Sequence, residues 1–199
     1  MRVLGLTGGI ATGKSTAVEC FKKLDPTVSV FCADASVARI YTDPAVLTEL
    51  ESIVGDSAVI KDGALNREWL RKRLFSNSGL KQEIQDLIHP LVRKDCLECL
   101  EESRRSVSTS SFIADVPLLF EGGFDFGQDA NLVVAVSRET QVQRLIMRNG
   151  FDDATVQAIL AAQLPISQKE KCADVVLWNE GPIGVLETQI QRFIENKYQ

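Results

Sequence analysis

Three observations predict an α/β fold with a parallel sheet. First, a short apolar run, Arg2-Val3-Leu4-Gly5-Leu6-Thr7, leads into Gly8-Gly9-Ile10-Ala11-Thr12-Gly13-Lys14-Ser15. After it, Ala17, Cys20, Phe21 and Leu24 fall at i, i+3, i+4 and i+7, so the order is strand, glycine loop, amphipathic helix. Second, short apolar runs keep recurring between helical stretches, the alternation that builds parallel sheets. Third, Asn131-Leu132-Val133-Val134-Ala135-Val136 is apolar without a polar alternate, as in a strand buried on both faces.

The glycine loop fits G-x-x-x-x-G-K-S/T without a gap, and its strand and helix are the context that motif needs. Glycines let backbone N–H groups turn inward around phosphate oxygens. The helix N-terminus adds partial positive charge. Lys14 reaches the β- and γ-phosphates, and the Ser15 hydroxyl joins the Mg²⁺ shell of a bound nucleotide.

The remaining elements follow in order. Asp25-Pro26 ends the first helix, and Val28 to Cys32 reads as a second strand that stops at Ala33-Asp34. Residues 35 to 54 read as helical with a break at Asp43-Pro44, and Lys61-Asp62-Gly63 as a turn. From Asn66, a helix cap, to Leu100 the pattern is helical, with a kink or break expected before Pro90. This helical region interrupts the βα pattern and reads as an insertion, 35–110. Ser103 to Ser111 reads as a polar surface loop. Phe112 to Val116, Asn131 to Val136 and Val175 to Leu177 complete five strands. Glu139 to Arg148 is a helix ended by Asn149-Gly150. Val156, Ile159, Leu160 and Gln163 mark a second, and Leu164-Pro165 breaks it. Ser167 and Glu170 form a capping box for a third. Ile183, Leu186, Ile190, Phe193 and Ile194 stripe the closing helix.

The 199 residues allow one domain or one core with an inserted subdomain. With 45% hydrophobic and 25% charged residues, the profile is that of a globular protein with a sizeable core. A net charge of −5 argues against nucleic acid as the main partner. No apolar run reaches transmembrane length, and the first strand begins too early for a leader peptide. Five scattered cysteines fit reduced thiols in the cytoplasm; Cys96 and Cys99 read as buried thiols one turn apart rather than a metal pair. The cysteines, methionines and aromatics read as core.

Several residues carry two readings. Asp34, at a strand end where open parallel sheets bind ligands, is either an acid that takes a proton or orders Mg²⁺, or a helix cap. Asp115 is either an acid of the metal shell or a hydrogen-bonded strand-edge residue. Arg144 and Arg148 share a helix face and either clamp phosphates from a mobile flap or face water. His89, the only histidine, is structural or catalytic.

The motifs together resemble the dephospho-coenzyme A kinases. Gly5-Leu6-Thr7-Gly8-Gly9-Ile10 followed by Gly13-Lys14-Ser15-Thr16 looks like the opening of that family. Ala33-Asp34 matches its Asp-Ala-Asp, Leu87-Ile88-His89-Pro90 its Leu-His-Pro, and Asp115-Val116-Pro117-Leu118-Leu119-Phe120-Glu121 its Pro-Leu-Leu-Phe-Glu. Gln143-Arg144 and Arg148 match its lid arginines, and Ala173-Asp174-Val175-Val176 through Asn179-Glu180-Gly181 its Ala-Asp-x-Val-Ile-x-Asn-x-Gly.

The resemblance implies a P-loop NTPase-type three-layer domain with a five-stranded parallel sheet. Its core would be 1–34, 111–137 and 171–199, with the insertion 35–110 binding the acceptor and a helical lid, 138–170. It implies transfer of the γ-phosphate of ATP to the ribose 3′-hydroxyl of dephospho-coenzyme A, with Mg²⁺. Gly9, Ile10, Ala11, Thr12, Gly13, Lys14, Ser15 and Thr16 would hold ATP together with Arg148 and Asn179, the latter by the adenine. Lys14, Asp34 and Arg144 would be catalytic, and Ser15 and Asp115 would hold the metal. Thr7, Asp34, His89, Pro117, Leu118 and Leu119 would meet the acceptor. No nucleic acid, membrane or obligate protein partner is expected.

There are departures. Cys32 stands where the family has the first Asp of Asp-Ala-Asp. Arg39 lies five residues after Asp34, where a basic residue is common at four. Leu164-Pro165-Ile166-Ser167 lacks an arginine that some members carry, which shifts phosphate contacts onto Arg144 and Arg148. The rival readings are another small-molecule P-loop kinase, a GTP-binding switch, for which Asn-Lys-x-Asp is missing, and an inactive homologue.

Overall fold

The computed structural model describes residues 1–196, with side chains for all of these but 75, 76 and 78. The last three residues of the expected core, 197–199, lie outside the described residues. The chain forms two compact units, residues 1–32 with 99–199, and residues 33–98.

The first unit is built on five parallel strands: β1 (Arg2–Gly8), β2 (Ser29–Cys32), β5 (Ser111–Asp115), β6 (Ala130–Ala135) and β7 (Val175–Trp178), in the order β2-β5-β1-β6-β7. The central strands carry the continuous apolar runs, and Leu6, Ile113, Leu132 and Val134 have no more than traces of exposure. Helices α1 (Lys14–Leu24) and α9 (Ile183–Glu195) cover one side, where Ala17, Phe21, Leu186 and Ile190 join the strand residues in one core cluster. Phe21 meets Phe193 edge-on, with centroids 6.2 Å apart. Register sets Leu6 and Cys32 on either side of Asp115, and Val134 beside Gly8. At the edge strand, the Gln189 side chain accepts from the Trp178 N–H at 2.9 Å and donates to its carbonyl at 2.8 Å.

The expected lid, 138–170, belongs to this unit and is three helices: α6 (Arg138–Asn149), α7 (Asp153–Ala161) and α8 (Ile166–Cys172). Leu145, Val156 and Leu160 form a small core that takes in Ile10 and Ala11 of the glycine loop. α6 ends at Gly150 with φ 65°, a conformation glycine adopts at no steric cost. The capping box expected at Ser167 and Glu170 is not formed. α8 begins at Ile166 after Pro165, because proline sets φ for the residue ahead of a helix and takes the capping position itself.

The second unit holds α2 (Ala33–Ile40), α3 (Pro44–Val54), a hairpin of β3 (Ile60–Lys61) and β4 (Ala64–Leu65), and α4 (Arg67–Ser76). Asp43 caps α3 and Asn66 caps α4, each accepting from a first-turn N–H. The Lys61-Asp62-Gly63 turn is a hairpin turn with φ 52° and 75° at its two central residues, as twist-matched two-residue turns require.

α5 (Ser78–Arg105) begins in the second unit and ends in the first. It corrects two expectations. No break occurs at Pro90, which lies inside the helix. Its ring is exposed, while Ile84, Ile88, Val92 and Cys96 on either side are buried. Each such burial contributes about 1.5–3 kcal/mol, enough to outweigh the roughly 3 kcal/mol proline costs. Ser103–Ser111 is not a loop throughout, since the helix reaches Arg105 and Ser111 starts β5. Ser103 is buried because its hydroxyl donates to Ser29 Oγ at 2.7 Å. The helical unit therefore spans 33–98 rather than 35–110. Core assignment also fails for Met1, Met147 and Trp178, which are exposed, and for Cys172.

Candidate active site

β1 ends at Gly8, and the loop that follows wraps back to the start of α1. Gly13 has φ 89°, and a Cβ there would lie 2.1 Å from Asn179 Nδ2. Only glycine meets both demands. Ala11 also has positive φ, 61°, which costs a non-glycine residue about 1–2 kcal/mol. Its neighbours hold it there: Arg144 donates to the Ala11 carbonyl at 3.1 Å, and Thr12 N–H donates to Gly9 O at 3.4 Å.

The loop's backbone is pinned by side chains of α6 and of the segment after α7. Gln141 donates to Ile10 O at 2.7 Å, and Gln163 accepts from Ile10 N–H at 3.1 Å. Asn179, buried after β7, donates to Thr12 O at 2.9 Å. Its side chain therefore fixes the loop. Arg144 donates to Asn179 O at 2.8 Å as well as to Ala11 O. Glu180 ties the same segment to α6: it accepts from Ser137 N–H and Ser137 hydroxyl at 2.7 Å each, and from the Thr140 hydroxyl. These bonds, with the Thr140 hydroxyl contributing most, hold the Glu180 carboxyl below its ordinary range.

Lys14 is paired with Asp115 at the end of β5. Ser15 is exposed in the first turn of α1. Register puts Cys32 directly beside Asp115, the carboxylate that pairs with Lys14. A cleft of about 530 Å³ adjoins the loop, and its lining includes Gly13, Thr16, Arg144 and Arg148 together with the apolar Met147 and Ile183. Arg144 is half-spent on carbonyls, whereas Arg148 bonds only to the neighbouring Asn149 side chain among the described residues, at 3.0 Å.

The expected acceptor residues divide. Thr7 is buried, and its hydroxyl donates to Pro117 O at 3.0 Å. Leu119 is buried at 2% exposure, whereas Leu118 is exposed. In the helical unit, Asp34 is the second residue of α2. It is inside the helix rather than its cap, and exposed. His89 is exposed on α5. In the same unit Asp95 accepts from Ser36 at 2.5 Å and pairs with Arg39 at 2.6 Å, which gives Arg39 a structural partner.

Lys169 escaped the sequence reading. It is fully buried in α8 and reaches Gly8 O, Pro117 O and Glu121. Its neighbours Gln168, Glu170 and Lys171 make the stretch look like a solvated helix face.

A glycine loop closing on a helix N-terminus, with a lysine and an acid at its mouth and arginines over the adjoining cleft, is how P-loop kinases hold nucleotide phosphates. Comparison with known proteins narrows the class. The family described as dephospho-CoA kinase matches residues 2–184. A dephospho-CoA kinase of Anaeromyxobacter dehalogenans is 38% identical over 98% of this chain and 91% of its own. Among solved structures, the Thermus thermophilus protein TT1252 is 29% identical with TM-score 0.82, covering 98% of this chain and 97% of its own. A dephospho-CoA kinase from Campylobacter jejuni shares the fold at TM-score 0.62 and 22% identity, covering 98% and 96%. The chain belongs to the dephospho-CoA kinase family.

Proposed function

We infer that the protein transfers the γ-phosphate of ATP to the ribose 3′-hydroxyl of dephospho-coenzyme A, the last step of coenzyme A synthesis. The observation that carries this is the built phosphate loop, with Gly13 against Asn179 and Lys14 at its mouth, in a chain of this family. Gly9 to Thr16 hold the ATP phosphates, and Lys14 and Arg148 neutralise charge that develops on the moving phosphoryl group. Arg144 acts there too, from its bonds to the loop. Met147 and Ile183 offer an apolar surface for the base of ATP, beside Asn179.

Asp34 takes the proton of the acceptor hydroxyl, and His89 contributes to acceptor binding with Pro117 and Leu118. Mg²⁺ fits the donors present, since Ser15 and Asp115 supply hard oxygens. Magnesium takes few ligands from protein and the rest from phosphates and water. When bound, it would supply positive charge to the phosphates of ATP.

The helical lid, residues 138–170, closes over ATP and excludes water. The five free thiols support a cytoplasmic setting, and among the described residues no helix is long and apolar enough to cross a membrane. Small-molecule substrates suffice for this chemistry without a protein, nucleic-acid or membrane partner.

The test is an assay of ATP with dephospho-coenzyme A against a panel of nucleoside monophosphates, shikimate and sugars. Strong preference for dephospho-coenzyme A is expected, and equal turnover of any other acceptor would assign the chain to another kind of P-loop kinase.

A further inference from the structure

Among the described residues, Lys169 is the only lysine or arginine in the core, with no solvent exposure. Lysine is almost never found so deep unless its charge is met. Here all three ammonium protons have acceptors: Gly8 O at 3.2 Å, Pro117 O at 3.0 Å and Glu121 Oε1 at 2.9 Å. Each acceptor belongs to a different part of the site. Gly8 is the last residue of β1 and the first glycine of the phosphate loop. Pro117 lies two residues beyond Asp115, and its carbonyl also takes the Thr7 hydroxyl. Glu121 Oε1 also accepts from Leu164 N–H at 3.0 Å, in the connection between α7 and α8.

One cation thus fastens together the start of the phosphate loop, the segment after the β5 acid, and the base of the lid. Stability alone does not call for this arrangement, because a buried ion pair replaced by apolar groups of like volume is often no less stable. What an apolar group cannot do is hold two carbonyls and a carboxylate at fixed distances from one another. Asp115, the partner of Lys14, ends β5, and the loop that starts at Gly8 leads to Lys14, so the spacing of these two segments sets where the γ-phosphate and the loop lysine meet.

We propose that Lys169 is a positioning residue for phosphoryl transfer, one that never touches substrate but sets the phosphate loop, the Pro117 segment and the lid base in register. The proposal rests on the kinase reading above, and its test separates the two.

Lys169→Met leaves Glu121 facing an apolar side chain, so a loss of Tm is expected. The double variant Lys169→Met/Glu121→Gln removes the unpaired charge and keeps an acceptor for Leu164 N–H, and its Tm should return to near that of the wild type. In that restored protein kcat should stay down by about 10- to 100-fold, the scale of a displacement of about 1 Å in a reacting group, with KM for ATP changed less than about threefold. Amide hydrogen exchange at residues 8–16, measured with Mg²⁺ and an unreactive ATP analogue, should remain faster than in the wild type. Recovery of kcat together with Tm, or wild-type exchange at residues 8–16, would overturn the proposal.

Lys169→Arg covers the case in which neither methionine variant folds. A planar guanidinium cannot reproduce three divergent bonds in a site closed around an ammonium, so Tm should fall and kcat, measured well below the melt, should fall too, and normal kcat in the folded arginine variant would refute positioning. If the wild type itself leaves dephospho-coenzyme A unphosphorylated, only the acceptor assignment fails, and the exchange comparison still decides the role of Lys169.

Discussion

The two units place their candidate residues in opposite ways. In the sheet unit several side chains around the loop are tied to backbone. Asn179 holds Thr12 O, Arg144 holds Ala11 O, Gln141 holds Ile10 O, and Lys169 holds Gly8 O and Pro117 O. In the helical unit Asp34 and His89 are exposed, and among the described residues their side chains make no hydrogen bond or ion pair. The difference fits the tasks proposed for them. A phosphate loop must be rigid before ATP arrives, because preorganised dipoles stabilise charge without reorganising. A base and an acceptor contact need freedom to meet a second substrate. Substitution in the helical unit should therefore change activity at constant stability, and substitution around the loop should change both.

The largest effect, and the sharpest test of this contrast, is expected at Asp34. Asp34→Asn keeps the size but cannot take a proton, so kcat should fall by about 10²- to 10⁴-fold, the usual worth of general-base help. Tm and ATP binding should hardly move. A folded variant with near-normal kcat at saturating Mg-ATP would remove Asp34 from the chemistry. Restoration of rate by added Mg²⁺ would instead make it a metal-ordering acid.

Lys14→Ala comes next. It deletes the cation that the loop supplies, and kcat/KM should drop by roughly 10²-fold or more. Asp115 loses its partner at the same time, so a fall in Tm is also expected here. Unchanged Tm would break the rule that loop-side residues serve both ends.

A smaller effect is expected at Glu180, whose carboxyl titrates below its ordinary range in the folded state. A lowered folded pKa stabilises above the unfolded value, near pH 4.3 for glutamate, and that contribution disappears as pH falls through the folded value. The Tm gap between wild type and Glu180→Gln should be constant from neutral pH to about pH 5 and should close in more acid solution. A gap that widened in acid would contradict the assignment. The smallest effect is at Ala11. Glycine relieves the positive φ and should change stability by no more than about 1 kcal/mol in either direction, read from a urea melt. If Ala11→Gly slowed turnover more than it changed stability, the strained residue would count among those that shape the loop.

The sheet was legible because its strands are apolar without alternation, as in Asn131 to Val136, and the loop because its glycines and lysine stand at fixed spacing. What was not legible depends on tertiary placement. Lys169 reads as surface until α8 packs against Gly8 and Pro117. Nothing local predicts positive φ for Ala11, since alanine prefers the right-handed region and is held by Arg144 from far along the chain. Pro90 reads as a kink or a break, and the buried residues around it carry α5 through without the break. Met147 reads as core, while its position three residues after Arg144 puts it on the cleft face of α6.

The clamp of Gln189 on Trp178 bears on how the molecule behaves in a crowded solution. β7 is the last strand of its sheet, and an outer strand offers unpaired backbone to any other chain that can extend alongside it. By filling both the N–H and the carbonyl of Trp178, one carboxamide stands in for the strand that is not there. The exposed Val176 and Trp178 side chains would otherwise make this border adhesive. The sheet ends at five strands partly because its own final helix occupies the place where a sixth, from a neighbouring molecule, would begin.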